Sequence, residues 1–432
     1  MIKYISINNY GSILDATLHF TFEESKAPRG YHDFQTIPFI EIGKNRLVPS
    51  LALIGPNASG KTRFIRAFSA IHDFIMSGKN PHAPYELRAS PLPTTKIEIV
   101  WIDKAIEVEY KYTIEAGKGG IIYESLDCDE EKLFMAHNGH LTFPALNISS
   151  QDNKKTLNSF KVFCVDEDTS LLLKSALEFL ANDYPSLDSR INNAYEFWKG
   201  KVVFDGLSSD NPPYSSTDFT DAVDLLAETF TDVEPPKREE SALELLSKYL
   251  RKLDFNIQKI SFVRKKYDPN DFPFMDRIKH IYDGLDFTIL WVMVHHLSEN
   301  GETVPISFRS ESNGTKRLMT LLTHMLTAVR TGGVAVVDGI EESLHTHLVQ
   351  ELLKLFNDKD LNTEKSQIIF TTHNADLLST GLRRSQIAVV SQRGFTGTHV
   401  RRLIDMPGVK QSDEFRDDYL NGYYDALPAA YL

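Results

Sequence analysis

Apolar and polar residues follow two different periods in the first part of the chain. Residues 1–22 alternate with period two on either side of a polar turn at Asn8–Gly11, which predicts two short strands. The run LVPSLALIG at 47–55 is mostly apolar and stops at a glycine, as a buried parallel strand does. Behind it, residues 62–75 place apolar side chains every three or four positions, which predicts an amphipathic helix facing a core. A strand, a glycine loop and a helix in this order indicate an α/β unit.

The pattern changes twice further along the chain. Residues 96–126 alternate with period two and include a turn at Gly117–Gly120, and Asn138–Gly139 is typical of another hairpin turn, so antiparallel strands are predicted. From about 165 to 260 the spacing becomes mostly helical. The strand-like segment at 304–308 is expected to return to the core, and helix and strand alternate after it.

These patterns predict an α/β fold with a mixed sheet core, an antiparallel β subdomain and a helical insertion. The expected divisions are an N-terminal part of the core at 1–160, the insertion at 161–300 and a C-terminal part of the core at 301–432.

Composition excludes several functional classes. Hydrophobic residues make up 42% and charged residues 25% of the chain, which excludes a disordered or collagen-like protein. With 47 Lys and Arg against 59 Asp and Glu, the net charge of −12 disfavours a broadly basic nucleic-acid-binding surface. Cys128 and Cys164 lack C-x-x-C spacing, so neither a disulfide scaffold nor a cysteine zinc site is expected. No run reaches 18 apolar residues and the N-terminus lacks a signal-peptide pattern, so we expect a cytoplasmic protein without membrane contact.

One segment has a specific chemical signature. Residues 55–62, GPNASGKT, fit the phosphate-binding P-loop pattern G-x-x-x-x-G-K-[ST] between a predicted strand and a predicted helix. In such a loop, backbone N–H groups and the helix N-terminus face phosphate, the lysine neutralises its charge, and the hydroxyl of Thr62 ligates Mg²⁺. We therefore predict that ATP and Mg²⁺ bind here. The expected nucleotide contacts are Gly55, Asn57, Ser59, Gly60, Lys61 and Thr62.

Three further segments follow in the C-terminal part. The apolar run GVAVV ends at Asp338, whose carboxylate is placed to hold Mg²⁺ if the strand lies beside the P-loop. Ser312–Arg317 places a serine and a glycine at the start of a helix, and a second strand ends just before His373. Taken singly, these features are also typical of a capped helix and an ordinary polar residue.

In this order, the four segments resemble ATPases of the ABC clan, which includes transporter ATPase subunits, RecF and SMC-type heads. Ser312–Arg317 resembles the signature motif, Asp338 the Walker B aspartate, Ser343–His345 the D-loop and His373 the switch histidine. More narrowly, the chain resembles bacterial abortive-infection ATPases of AAA type. The segments that carry this second resemblance are ESNGTKRL, SLH, FTTHNADLL, LRRSQI and DYLNGYY.

The resemblance implies a mechanism and partners. Two protomers would enclose two ATP molecules head to tail, with Ser312 and Gly314 of one chain completing the site of the other. It also implies a nucleotide-gated sensor or scaffold that controls a separate effector protein in anti-phage defence, as a homodimer or a higher oligomer. Asp338, His373 and Glu341 are the expected catalytic residues, and Thr62 and Asp338 the expected Mg²⁺ ligands.

The sequence departs from the family at one position. Members usually carry glutamate directly after the Walker B aspartate, and here that residue is Gly339, which has no side chain to act as a base. Glu341 or Glu342 can substitute, His373 can orient the water, or hydrolysis is slow and nucleotide binding is the main event. We favour slow hydrolysis with ATP-stabilised assembly.

Other readings of the sequence remain open. A DNA-repair ATPase of RecF or SMC type and a nucleotide-binding scaffold without turnover are alternative functions. Nucleic acid is not favoured as a partner, since the basic clusters at 264–266, 383–384 and 401–402 are more typical of solvated faces. His345 and His347 are not expected to hold a metal, and the acidic run Asp166–Asp168 is expected to begin a helix.

Overall fold

A computed structural model describes most of the chain. The residues described are 1–22, 36–84, 92–138, 140–144, 185–206, 215–253, 256–266, 288–379, 381–392 and 397–426. The acidic run Asp166–Asp168 and the start of the region expected to be mostly helical, from about 165, lie outside these ranges. Among the helices within them, none is long and apolar enough to cross a membrane.

The elements in chain order are as follows. The strands are β1 (Ile2–Tyr10), β2 (Ile13–His19), β3 (Ile40–Ile42), β4 (Asn45–Leu47), β5 (Ser50–Ile54), β6 (Thr94–Asp103), β7 (Val108–Gly117), β8 (Gly120–Cys128), β9 (Glu131–His137), β10 (His140–Thr142), β11 (Val202–Asp205), β12 (Ile257–Lys266), β13 (Thr288–Leu297), β14 (Thr303–Ser307), β15 (Val334–Val337), β16 (Gln367–Thr372), β17 (Ile387–Gln392) and β18 (Thr398–Arg402). The α-helices are α1 (Lys61–Ser77), α2 (Pro185–Gly200), α3 (Ser216–Glu228), α4 (Pro235–Lys252), α5 (Asn313–Thr331), α6 (Thr346–Asn357) and α7 (Phe415–Leu420).

The chain divides into two compact units. The first comprises Met1–Leu207, Ala328–Glu341 and His345–Leu432, and the second comprises Ser208–Thr327 and Glu342–Leu344.

A six-stranded sheet forms the centre of the first unit. Its order is β11-β15-β16-β5-β17-β18, parallel throughout except for the antiparallel pair of β17 with β18. Every residue of β5, β15 and β16 is buried, as expected for parallel strands covered on both faces. The mixed α/β fold class is therefore confirmed.

A seven-stranded antiparallel sheet belongs to the same unit. Its order is β10-β9-β8-β7-β6-β1-β2, so the alternating segments of the sequence form strands as expected. Trp101 of this sheet stacks between Tyr110 and Phe197, with ring centroids 5.4 Å away in both pairs. Phe197 and Trp198 come from α2, which therefore closes an aromatic cluster over the sheet. Stacked and edge-on aromatic pairs of this kind stabilise a core beyond simple burial.

The second unit has its own small core. The antiparallel sheet β12-β13-β14 packs through β12 against α4, and Phe219 of α3 stacks on Phe308 with centroids 5.0 Å apart. The edge strand β14 is largely exposed, with Val304 and Ile306 facing solvent. The expectation that 304–308 returns to the core was therefore wrong for this strand, although Phe308 just after it is buried.

The region predicted as a helical insertion is only partly helical. Within 161–300, β11 joins the six-stranded sheet, and β12 and β13 form the sheet of the second unit. Pro235 occupies the first position of α4, where its missing N–H costs no hydrogen bond. The division of the chain at 160 and 300 stays a prediction.

One buried glutamine joins the two sheets of the first unit. The side chain of Gln367 in β16 accepts from the N–H of Ile2 at 2.9 Å and donates to the carbonyl oxygen of Val48 at 3.0 Å. Because these groups are buried, losing the amide leaves them without a partner.

We expect Gln367→Ala to lower the free energy of unfolding by about 2–4 kcal/mol, since it leaves buried polar groups unsatisfied and opens a cavity. Gln392→Ala, at the exposed end of β17, is the matched control and should change it by less than about 0.5 kcal/mol. Urea unfolding followed by circular dichroism compares the two, and equal midpoints would contradict this role of Gln367.

Candidate functional site

Three strand ends of the first unit meet at one edge of the parallel sheet. β15, β16 and β5 are neighbours in that order, with Val337 opposite Phe370 and Thr372 opposite Ile54. Because parallel strands place their carboxyl ends at the same edge, the segments that follow them converge. These segments begin at Asp338, His373 and Gly55, which is how the sequence-predicted residues of this unit come together.

The P-loop forms a tight cradle before α1. Gly60 has a φ of 101°, and a Cβ added to it would collide with the hydroxyl of Thr398. A Cβ on Gly55 would collide with the carbonyl oxygen of Val390. The side-chain oxygen of Ser59 is buried and has no hydrogen-bond partner among the described residues. The loop therefore requires glycine at both positions and contains one buried hydroxyl available to a ligand.

The Lys61 side chain folds back over this loop. Its ammonium donates to the carbonyl oxygens of Gly55 at 2.7 Å and Pro56 at 2.9 Å. Burial lowers the pKa of Lys61, and the nearby carboxylates of Glu341 and then Asp338 oppose that shift. The ammonium is therefore partly desolvated.

A single hydroxyl connects the ends of β15 and β16. Thr371 donates to Oδ1 of Asp338 at 2.6 Å and accepts from the N–H of Gly339 at 2.7 Å. Gly339 has a φ of 63°, so the chain turns sharply after the aspartate. The N–H of Ile340 then donates to the carbonyl oxygen of Thr371 at 3.1 Å, and the Ile340 side chain is fully buried. The Asp338 carboxylate is thereby held at the strand end.

Glu341 and His373 form a close pair beside these groups. Oε1 of Glu341 lies 2.7 Å from Nδ1 of His373 and accepts the backbone N–H of His373 at 2.7 Å. The Glu341 side chain is 7% exposed, whereas that of His373 is 63% exposed. Oε2 of Glu341 is buried and has no hydrogen-bond partner within the part of the chain that the structure describes.

The remaining predicted site residues belong to the second unit. The hydroxyl of Ser312 accepts from the N–H of Thr315 at 3.1 Å and so caps the start of α5. A Cβ on Gly314 would lie 2.8 Å from the carbonyl oxygen of Ser343, so the signature and D-loop segments of one chain are in close contact.

His345 begins the next helix. Its Nδ1 accepts from the N–H of His347 at 3.2 Å, which makes it the N-cap of α6.

The donor set fits a magnesium nucleotide. The cradle combines an ammonium, a helix start and a buried unpartnered hydroxyl, which suits a polyphosphate. Thr62 in the first turn of α1 and Asp338 carry side-chain oxygens, the type of ligand that Mg²⁺ prefers. Asn57 is exposed at the tip of the loop. The roles of these residues stay predictions.

Two residues of the site were not assigned a role from the sequence. The polar pair Thr371–Thr372 at the end of an apolar strand is a signal that could have drawn attention to Thr371. Thr398 carries no such signal. Its hydroxyl lies 2.7 Å from that of Ser12, and it meets the P-loop only because β17 and β18 lie beside β5 in the sheet.

Several arginines of the basic clusters already make ion pairs or hydrogen bonds within the protein. Arg264 pairs with Glu239 at 3.0 Å, and Arg384 donates to the carbonyl oxygen of Val409 at 2.8 Å. Arg402 is 2% exposed and pairs with Asp405 at 3.0 Å. Arg402 is therefore a poor candidate for a phosphate contact with nucleic acid, whereas the Arg264 side chain is 54% exposed.

Comparison with known proteins identifies one family. The model of the family described as "AAA domain, putative AbiEii toxin, Type IV TA system" matches residues 50–379. No curated protein matches the chain significantly.

Two solved structures are similar at low identity. The SMC head domain from Thermotoga maritima has 12% identity and a TM-score of 0.39, covering 93% of this chain and 98% of its own. The ATP-binding cassette MJ0796, in a dimeric post-hydrolysis state bound to ADP and Pi, has 9% identity and a TM-score of 0.32, covering 92% and 98%. Neither similarity supports a functional conclusion at these values.

We expect Gly60→Ala to weaken ATP binding by at least about tenfold, because the new methyl group displaces Thr398 and distorts the phosphate cradle. Gly408→Ala is the matched control: Gly408 has a φ of 85°, but no described atom lies within 4 Å of an added Cβ. Titration calorimetry with ATP compares both variants with the wild type. Unchanged affinity in Gly60→Ala would show that the loop does not bind the phosphates.

Proposed function

Because this chain belongs to the AAA-domain family whose model matches residues 50–379, a family of nucleotide-binding ATPases, we propose that it is an ATP-gated molecular switch. In this proposal ATP joins two copies head to tail, and the ATP-bound dimer controls a separate effector protein in bacterial antiviral defence. The observation that carries the proposal is the assembled edge of the parallel sheet, where the P-loop, Asp338 and the Glu341–His373 pair converge.

The chain's own residues supply the contacts for ATP. Lys61 would exchange its bonds to the Gly55 and Pro56 carbonyls for phosphate oxygens. Thr62 and Asp338 would hold Mg²⁺, which neutralises phosphate charge. The bond from Thr371 keeps the Asp338 carboxylate at the strand end, so this ligand is already oriented before ATP binds.

The second half of each site would come from the partner copy. Ser312 caps α5, so the hydroxyl and the first N–H groups of this helix offer donors to a γ-phosphate. Within one chain these groups belong to a different compact unit from the P-loop. Because two copies contact the same ATP, the free energy of ATP binding stabilises the dimer. Release of phosphate after hydrolysis removes this stabilisation.

Hydrolysis is slow in this proposal, and it has to use another group of the site, because Gly339 supplies no side chain at the position where glutamate usually orients the attacking water. A long-lived ATP-bound dimer suits a protein that signals by its assembly state. A scaffold that binds ATP without any turnover is the limiting case.

The proposed defence role has two supports. The family description names a toxin and a type IV toxin–antitoxin system, which suggests this biological context. The net charge of −12 and the internal pairing of Arg264, Arg384 and Arg402 favour a protein partner over nucleic acid. A neighbouring gene encoding a nuclease or another toxin would supply the effector.

We expect ATP to convert the purified wild type from monomer to dimer, as measured by mass photometry or light scattering with Mg²⁺. Ser312→Ala and Lys61→Ala should remain monomeric, since each removes a contact to the shared phosphates. Ser310→Ala, an exposed serine two residues away, is the matched control and should dimerise like the wild type. Wild type that stays monomeric with ATP would contradict the switch. ATP-dependent, salt-sensitive DNA binding would instead favour a DNA-repair ATPase.

A further inference from the structure

We propose that Glu341 takes the water-orienting role that the usual glutamate would have at position 339, with His373 as its positioning residue. This inference rests on the proposed ATP site and names the residue through which its hydrolysis proceeds. It is carried by the backbone at Gly339, by the two anchors on Oε1 of Glu341 and by the buried, unpartnered Oε2.

The backbone at position 339 is built for glycine. Its φ of 63° lies in the left-handed region, where a side chain is disfavoured by about 1–2 kcal/mol. Its N–H donates to Thr371, which also holds Asp338, so relaxing the turn would disturb the Walker B carboxylate. The backbone at position 339 therefore has its own conformation. The position is not simply one that held glutamate and lost the side chain.

This conformation brings the next carboxylate to the site. Ile340 is buried and donates to the carbonyl oxygen of Thr371, which anchors the chain one residue after the turn. Oε1 of Glu341 accepts the N–H of His373, the residue after Thr372, and the carbonyl oxygen of Thr372 accepts the N–H of Gly55 at the start of the P-loop at 3.4 Å. A carboxylate held beside the P-loop is beside the place where a γ-phosphate would bind.

The two oxygens of Glu341 have different environments. Oε1 is fixed by the backbone N–H of His373 and lies 2.7 Å from its imidazole Nδ1. Oε2 is buried and is without a hydrogen-bond partner among the described residues. A buried acceptor left unpartnered costs about 1–3 kcal/mol, so its retention points to a ligand that completes it. A water molecule poised for attack would do so.

Glu341 is the only base that this hydrolysis requires. The water oxygen forms a bond to the γ-phosphorus while the bond from that phosphorus to the β,γ-bridging oxygen breaks, and ADP leaves with the electron pair. Oε2 of Glu341 accepts the proton of the water, and the products are ADP and inorganic phosphate.

Neither neighbouring candidate has this environment. Glu342 is exposed, and the His373 side chain is 63% exposed with Nδ1 directed at Glu341. The structure thus distinguishes among the three groups that the sequence left as alternatives.

Phosphate release by the purified full chain with ATP and Mg²⁺ tests the assignment. Glu341→Gln should lower turnover by at least about 100-fold, the usual contribution of a general base, with ATP affinity within about threefold of wild type. Glu342→Gln, the same change one residue along, should stay within about twofold. Gly339→Glu should not raise turnover. Gly339→Ala, which adds only a methyl group, shows how much of the effect of Gly339→Glu comes from backbone strain alone.

The test of His373 has to distinguish a positioning role from a merely structural one. His373→Asn, whose amide can still donate toward Oε1, should retain more turnover than His373→Ala at equal ATP affinity. Equal loss in both variants would remove the positioning role.

Four results would overturn the role of Glu341. The first two concern Glu341→Gln: it keeps the turnover of the wild type, or it loses ATP binding together with turnover. The third is a rise in turnover of tenfold or more in Gly339→Glu. The fourth is phosphate release by the wild type that is no higher than that of Lys61→Ala. In that last case ATP-dependent dimerisation can still be present, so the two proposals fail separately. A Glu341-dependent turnover without dimers would instead leave the base in place and contradict the switch.

Discussion

The hydroxyl of Thr371 is the contact on which the arrangement of the site depends. It donates to Asp338 and accepts from the N–H of Gly339. One side chain in β16 therefore fixes both the position of the carboxylate at the end of β15 and the backbone turn that follows it. After this turn Ile340 is buried, and Glu341 accepts the backbone N–H of His373. A hydroxyl can do this because it is donor and acceptor at once, which neither a methyl group nor a carboxylate is.

The contact is effective because the strands around it are held firmly. β5, β15 and β16 are buried along their whole length, and parallel pairing fixes their ends in register. Gln367 joins this sheet to β1, and the aromatic cluster around Trp101 ties α2 to the antiparallel sheet. Functional groups at the ends of such strands lose little conformational freedom when a ligand binds.

Much of the site was predictable because its motifs are local. The P-loop and the strand preceding Asp338 depend on residues adjacent in sequence, and the structure has β5, α1, β15 and β16 where those patterns indicated. The errors concern contacts between distant segments. β11 looked like part of a helical region, although it pairs with β15 more than a hundred residues away, and β14 has an apolar sequence yet lies exposed at a sheet edge. Short apolar runs do not reveal which partner strand they will join.

The residue types alone predicted the chemistry available to this protein: a phosphate loop, an aspartate expected to hold Mg²⁺ and a glycine where a base is usual. Membership in the AAA-domain family agrees with nucleotide binding. The sequence named Glu341 as an expected catalytic residue but left Glu342 open as a substitute base, because both glutamates follow Gly339 and nothing local separates them. The tertiary structure separates them through long-range bonds from Thr371 and His373, which lie more than 30 residues further along the chain. Glu341 is buried and held by His373, whereas Glu342 is exposed.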